Sequence, residues 1–320
     1  KRQVRASAKN HQHVLIATNP SRYGDVLSAI KNAGGAQDVD MQLRQALALE
    51  AFEHTAAYDV AISQELHRRV VGDPALFSSM EEQRERLPDS MLAASHRVDT
   101  LRYGENGHQA AALYVNHDAP ETHSTLVTAR VEGGKAMSYN NYSDADATLR
   151  LCRSLSTDEW PNTPHACVIV KHNNPCGAAL ASTQREAFEM ALASDPESAF
   201  GSIICFNEIV ETSTAKAVGN LFVEVMMAPG YTDEAKSVLM EKKNRRLLTI
   251  DSPDDRLEPL QRQVVRKPIE GGVLVQTEEP PIIDWDKART VTETAPTDAQ
   301  IDSMTVSYTH LRAHETIADR

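Results

Sequence analysis

Cysteine is scarce in this sequence of 320 residues: Cys152, Cys167, Cys176 and Cys205 are the four present. So few, so scattered, exclude a disulfide scaffold in a chain of this size and read as reduced thiols, mostly in the core. Long apolar runs are missing too; none approaches the roughly 18 residues that a membrane-spanning helix needs. The amino terminus "KRQVRASAKNHQHV" has positive charge but no apolar segment of the kind that follows it in a secretory signal. Positive charge is in deficit, with 33 Lys and Arg against 45 Asp and Glu and a formal net charge of -12. That balance argues against a broad phosphate-neutralising surface for nucleic acid, while leaving room for a small anion in a local pocket. No internal repeat and no low-complexity tract occurs. The expectation is a cytosolic globular protein with neither a membrane nor a nucleic acid as partner.

What is present suffices for two or three domains, since 41% of the residues are apolar and can bury sizeable cores. "HVLIAT" followed by "NPSRYGDVLSAIKNAGG" predicts a short strand, an Asn-Pro turn with Ser21 as N-cap, a helix and a glycine stop. From Met41 to about His67, apolar residues near a 3.6 period predict a long amphipathic helix or a helix pair. A polar, proline-bearing stretch places a domain boundary near residues 88 to 98. Beyond it, "SDADATLRLCRSL", "TQREAFEMALAS" and "TSTAKAVGNLF" read as helices. "ACVIVKH", "GSIICF", "VEVMM" and, after a turn at "EGG", "VLVQ" read as strands. "TEEPPIIDWDK" reads as a proline-broken loop, and "PTDAQIDSM" as the start of a helix. This alternation predicts an α/β fold with helices on both faces of a sheet. The final segment, from about Thr305, carries histidines without flanking periodicity and is expected to be a non-native tail.

Five stretches carry candidate chemistry. In "VIVKHNNPCG" a buried strand ends on Lys171 and His172 before an Asn-Pro break, which would deliver them to the carboxyl edge of a sheet, where α/β folds place ligands. Neighbouring strand residues point to opposite faces, so the two reach one ligand only if the chain has begun to turn there. Histidine can accept a proton near neutral pH, and an adjacent ammonium can stabilise developing negative charge. Local pattern alone leaves open whether the pair is catalytic or a solvent-facing strand cap. "LRYGENGHQAAALY" offers Arg102 as a forked donor, Tyr103 as a ring and hydroxyl, Gly104 for close backbone approach, and the polar groups of Asn106 and His108. In "SDPESAFGSIICF", Gly201 permits close approach, and Phe200 is read as core packing. Glu224 interrupts the apolar run "FVEVMM", so on a buried strand it must be paired or bind something, and on an edge strand it would face water. Lys9 in "RASAKNH" is a weaker signal.

"RASAKNH", "LALEAFEHTAAYDVAI", "LRYGENGHQ", "GGKAMSYNNYSDADA", "KHNNPCGAAL", "SDPESAFGSII" and "FVEVMMAP", in that order, resemble the bifunctional family that joins AICAR transformylase to IMP cyclohydrolase. The resemblance covers residues 4 to 304. It implies the remainder of a methylglyoxal-synthase-like cyclohydrolase domain with a helical connector over 1–97. A cytidine-deaminase-like α/β/α transformylase domain over 98–304 and the stray tail over 305–320 complete the expected organisation. Further implications are formyl transfer from 10-formyltetrahydrofolate to AICAR, ring closure to IMP, no required metal and a homodimer. Residue by residue, it implies His172 as proton acceptor, Lys171 as oxyanion or leaving-group partner, and Lys9 as a cyclohydrolase remnant. Arg102 and Tyr103 would hold the nucleotide, with Gly104, His108, Asn140, Gly201 and Glu224 in the substrate pocket.

Gly107 stands in "ENGHQ" where the family carries proline, which loosens the turn before His108. The chain is expected to start inside the cyclohydrolase domain and stop before the second half of the transformylase, leaving both sites incomplete. One rival reading is therefore a non-catalytic nucleotide-binding fragment. The other is a zinc deaminase, faintly suggested by His172 and Cys176. That signature needs a glutamate two residues after the histidine and a second cysteine three after the first, whereas Asn174 and Ala179 stand there.

Overall fold

The computed structural model of the protein describes residues 1–70, 87–117, 125–155, 164–251, 265–276 and 289–304 except 292, 302 and 303. The loop expected at 277–287 and the tail from Thr305 lie outside the described residues. The chain divides into two compact units, residues 1–97 with 114–119, and residues 98–113 with 120–320.

The first unit is helical. Helix α1 (Arg2–Lys9), α2 (Tyr23–Ala33) and α3 (Met41–Val70) account for most of its regular structure, joined by short 3₁₀ turns. Asn19, not Ser21, caps the turn ahead of α2: its side chain accepts the Ser21 N–H at 3.0 Å, and Gly34 stops α2 in the left-handed region. The periodic stretch after Met41 is one helix of 30 residues, not a pair. The strand expected at "HVLIAT" is absent; residues 14–18 have no regular structure. A strand is stable only when a neighbour takes up its N–H and C=O groups, and residues 14–18 pair with no strand among the described residues. Instead a small cluster forms where Ala8 packs on Ala48 and Ala51, with Val4, Ile16 and Phe52 around it. Arg44, buried, ties down the loop between α2 and α3 by donating to the carbonyls of Val39 (3.0 Å) and Ala36.

Strands β1 (Ser95–Leu101) and β2 (Ala111–Asn116) form a two-stranded sheet. The second unit is built on a six-stranded mixed sheet of β3 (Arg130–Gly133), β4 (His165–Lys171), β5 (Asn174–Ala181), β6 (Ser202–Phe206), β7 (Val223–Ala228) and β8 (Arg246–Thr249). The spatial order is β3-β8-β7-β6-β4-β5. Only β6–β7 and β7–β8 are parallel; β4 runs antiparallel to both β5 and β6. The hairpin of β9 (Val265–Ile269) and β10 (Gly272–Gln276) turns at the expected Glu-Gly-Gly.

Alternation along the strands explains how both faces are buried. On β4, Ala166, Val168 and Val170 pack with β6 residues Ile203 and Cys205 against α4 (Tyr139–Leu155), whose Ala145, Leu149 and Cys152 recur at helical spacing. Cys167 and Ile169 face the other way, toward α5 (Gln184–Ser194), α6 (Thr212–Val218) and α7 (Asp233–Met240). With both faces covered, the strands read as continuous apolar runs. The α/β expectation holds, with helices on both faces of a mixed sheet. Helix α4 starts four residues before the expected Ser143, because Ser138 and Asn141 cap each other reciprocally: each backbone N–H donates to the other's side chain, at 3.1 and 3.2 Å.

Two tests follow from this packing. A Cβ on Gly177 of β5 would lie 1.9 Å from the Ala191 carbonyl oxygen of α5. Gly177→Ala should therefore cost about 3 kcal/mol in urea unfolding, at the upper end for overpacking because backbone must move. At the opposite edge of the sheet, on β3, Glu132 accepts from Lys236 at 2.5 Å and from the Thr249 hydroxyl at 3.2 Å. The bond from Lys236 holds its carboxyl below the usual carboxylate range, against a smaller opposing effect of burial. A depressed folded-state pKa means that the pair's contribution is present above the ordinary carboxylate pKa and disappears as pH falls through the lowered one. Glu132→Gln should accordingly flatten the acid limb of the stability profile below about pH 4.5 and leave its slope near neutrality unchanged.

Candidate active site

Strand β4 delivers Lys171 to the end of the sheet, one step past the Val170–Ile203 pair. Because β4 is antiparallel to β6, its carboxyl end coincides with the amino edge of the parallel strands, not with their carboxyl edge as expected from the sequence. The chain then reverses within two residues. His172 (φ 54°) and Asn173 (φ 61°) both occupy the left-handed region, the conformation of a two-residue type I′ hairpin turn. The break is thus at His-Asn, and "NPCGAALA" is itself strand β5, which the Asn-Pro-Cys-Gly composition concealed. Pro175 is tolerated because β5 is an edge strand and the ladder is irregular there, Ile169 pairing with Gly177 but Val170 with Pro175.

The turn gives the two candidate groups different surroundings. Lys171 donates from Nζ to the Phe200 carbonyl at 2.8 Å. His172 is exposed at the corner, and its ring makes no hydrogen bond among the described residues. A non-glycine residue in this conformation costs of order 1 kcal/mol and persists only when its surroundings determine it. They do so here: the Asn173 N–H donates to the Asp144 carboxylate at 2.8 Å, and the Asn174 amide donates to the His172 carbonyl at 2.8 Å. Asp144 lies in the second turn of α4, so the helix fixes the turn.

The same helix terminus holds the Arg102–Tyr103 loop. Asn140 donates to the Glu105 carbonyl at 3.4 Å. Within the loop, the Gly104 N–H donates to the Gln109 carbonyl at 2.9 Å, and the Gln109 side chain accepts the Asn106 N–H at 2.7 Å. Arg102 lies over the Tyr103 ring, 5.6 Å from its centroid, which leaves the guanidinium edge to other acceptors. Gly104 is buried in the loop, whereas Gly107 and His108 are exposed.

On the other side of Lys171, Gly201 has φ 78° and donates its N–H to the Phe222 carbonyl at 2.7 Å. Phe200 is 61% exposed, not in the core as expected, and its ring meets that of Phe222 at 5.2 Å between centroids. Glu224 lies on an interior strand and is paired, with Arg246 at 2.5 Å. Lys171, His172, Arg102, Tyr103, Gly104, His108, Asn140, Gly201 and Glu224 all belong to the second unit. Lys9 belongs to the first, exposed in the last turn of α1. None of the four cysteines is in a disulfide, and burial in the core between the sheet and α5 pushes the Cys167 thiol well up. Cys176 packs at the edge of the sheet core. Among the described residues, no three His, Cys, Asp or Glu side chains gather as a metal-ligand set.

Sequence reasoning missed Asp144 and Arg246. Asp144 was seen only as part of a helix start, although an acidic residue one turn in could also cap a nearby turn. Arg246 was signalled only by the pair "RR" entering an apolar strand.

The family model described as AICARFT/IMPCHase bienzyme matches residues 7–315. The chain belongs to this family. The AICARFT/IMPCHase relatives include the bifunctional purine biosynthesis protein PurH of Persephonella marina, 40% identical over 305 residues, with 94% of this chain and 53% of that protein covered. The protein of the same description from Rhodopirellula baltica is 39% identical over 315 residues, covering 97% of this chain and 55% of the other. The chain spans about half the length of the curated relatives it matches.

For this member of the AICARFT/IMPCHase family, the turn geometry makes a direct prediction. His172→Asn should leave urea-unfolding stability within about 0.5 kcal/mol, because asparagine tolerates the left-handed region. His172→Val should cost at least about 1 kcal/mol, because a β-branched residue does not.

Proposed function

We propose that residues 98–304 form the first part of a cytidine-deaminase-like AICAR transformylase domain and residues 1–97 the remainder of a methylglyoxal-synthase-like IMP cyclohydrolase. The intact protein would transfer a formyl group from 10-formyltetrahydrofolate to AICAR and close the product to IMP with loss of water, as a cytosolic homodimer. Family membership and the names of the relatives support this reading. So does the convergence of the Arg102–Tyr103 loop and the Lys171–His172 corner on the first two turns of α4, the observation that carries the site assignment. Among the described residues, no helix is long and apolar enough to cross a membrane.

In this reading Arg102 donates to the ribotide phosphate and Tyr103 packs beside it. The 5-amino group of AICAR is a weak nucleophile, so its placement matters as much as its deprotonation. As its nitrogen attacks the formyl carbon, the His172 imidazole takes the amine proton. The carbonyl oxygen becomes an oxyanion, which the Lys171 ammonium stabilises. Collapse of that intermediate breaks the bond to N10 of the folate, which leaves with the proton that His172 took up. Lys171 is tethered to the Phe200 carbonyl, so its charge is already at the edge when substrate arrives. No metal takes part in this scheme.

Because the chain spans about half the length of its relatives, a second reading applies to the chain alone: it binds nucleotide without turnover. Release of tetrahydrofolate, followed spectroscopically, distinguishes the two. The full-length polypeptide should turn over, and Lys171→Met and His172→Asn should each lower kcat by about 10²- to 10⁴-fold while the protein remains folded. Undiminished rates in both variants would remove those residues from the mechanism.

A further inference from the structure

Asp144, in the second turn of α4, bonds the loop of the β4–β5 hairpin at Asn173, the residue after His172. We propose that Asp144 is a positioning residue for His172: by clamping Asn173 it sets the backbone from which the imidazole projects, and so where the proton of the attacking amine is received. The inference rests on the transformylase reading above and adds to it the group that orders the proton acceptor.

The hairpin needs outside support. Lys171 pairs with Asn174, so His172 and Asn173 are the whole of its loop. Loops of this type strongly prefer a glycine, as in Asn-Gly, Asp-Gly or Gly-Gly, because both positions have positive φ. His-Asn puts a Cβ at each of them and carries the steric cost twice. Non-glycine residues persist there only where the surroundings determine them, and such places concentrate at functional sites.

The determining contacts converge on Asn173. Its backbone N–H donates to Asp144 Oδ1 at 2.8 Å. With its amide oriented to satisfy both ends, its Nδ2 donates to the Ser143 carbonyl at 3.1 Å and to the same Asp144 oxygen at 3.2 Å, while its Oδ1 accepts from the Ser143 hydroxyl at 3.2 Å. One carboxylate oxygen thus receives two N–H groups of one residue, which fixes both the side chain of Asn173 and the peptide joining it to His172. The other end of that peptide, the His172 carbonyl, accepts from the Asn174 amide at 2.8 Å. Because the imidazole makes no hydrogen bond of its own among the described residues, its place depends on this clamped backbone. Lys171 does not share the dependence, since it lies in the β4 ladder and its Nζ bonds the Phe200 carbonyl. Proton transfer works only within hydrogen-bond reach, and a displacement of about 1 Å can cost about 10²-fold in rate.

The test uses the full-length polypeptide, with tetrahydrofolate release followed to give kcat and the KM for AICAR. Asp144→Ala should lower kcat by about 10- to 10²-fold with KM changed less than about twofold. Asp144→Asn keeps an oxygen for the Asn173 N–H and should recover most of that loss. Added to His172→Asn, the Asp144→Ala change should slow the enzyme no further, because both act through one side chain. Melting curves accompany each variant. A carboxylate that served folding alone would slow the His172→Asn protein by the same factor as wild type, and that result overturns the inference. So does undiminished kcat in Asp144→Ala, or an Asp144→Asn protein as slow as Asp144→Ala, when His172→Asn is itself impaired. Full-rate turnover by His172→Asn, or wild-type protein with no turnover, removes the transformylase role of His172 and this inference together.

Discussion

Both faces of the six-stranded sheet are covered, and that constraint governs where chemistry can occur. Successive residues on a strand point to opposite faces, and on β4 both sets are apolar and buried, from Ala166 to Val170. A charged group inside such a sandwich would cost several kcal/mol without a partner. Polar side chains therefore emerge at the ends of strands. Lys171 ends β4, Gly201 precedes β6, Glu224 lies near the start of β7, and Arg246 starts β8. The mixed strand directions bring these four positions to one edge.

What makes that edge an organised site is the amino-terminal part of α4. A helix end leaves backbone groups unpaired, and here Ser138 and Asn141 satisfy them reciprocally. Asn140 and Asp144 are then free to reach outward, one to the loop bearing Arg102 and Tyr103 and the other to the His172–Asn173 turn. Two segments distant in the chain are thus held by one rigid element. The energetic cost of placing His172 at positive φ is met by the same contacts.

Much of the site's composition was readable from the sequence, because polar residues that interrupt apolar runs have few structural reasons to be there. Lys171 and Glu224 both stood out this way, and the dilemma posed for Glu224, paired or solvent-facing, resolved as paired. Two errors are instructive. Asn-Pro-Cys-Gly reads as a break because proline and glycine punctuate chains, yet an edge strand tolerates both. Phe200 was assigned to the core by residue type, whereas its place in a loop before β6 leaves it exposed. Arg246 went unremarked because an arginine at a strand start is ordinary until its partner is known.

The amino-acid sequence by itself determined the elements and the inventory of reactive groups. The 3.6 period of α3 and α4, the Asn19 and Thr183 caps, and the unbroken apolar strands are local properties that depend on neighbours a few residues away. It also determined membership of the AICARFT/IMPCHase family, through motifs whose order is itself a sequence property. Tertiary structure alone decided strand direction, and with it which edge of the sheet carries the candidate site. It also decided the type I′ turn that follows Lys171 and sets His172 at its corner, and the pairing of Glu224 with Arg246. Those depend on which groups approach from 22 to 29 residues away in the chain, a distance over which local pattern carries no information and only the packing of the whole unit selects the contact.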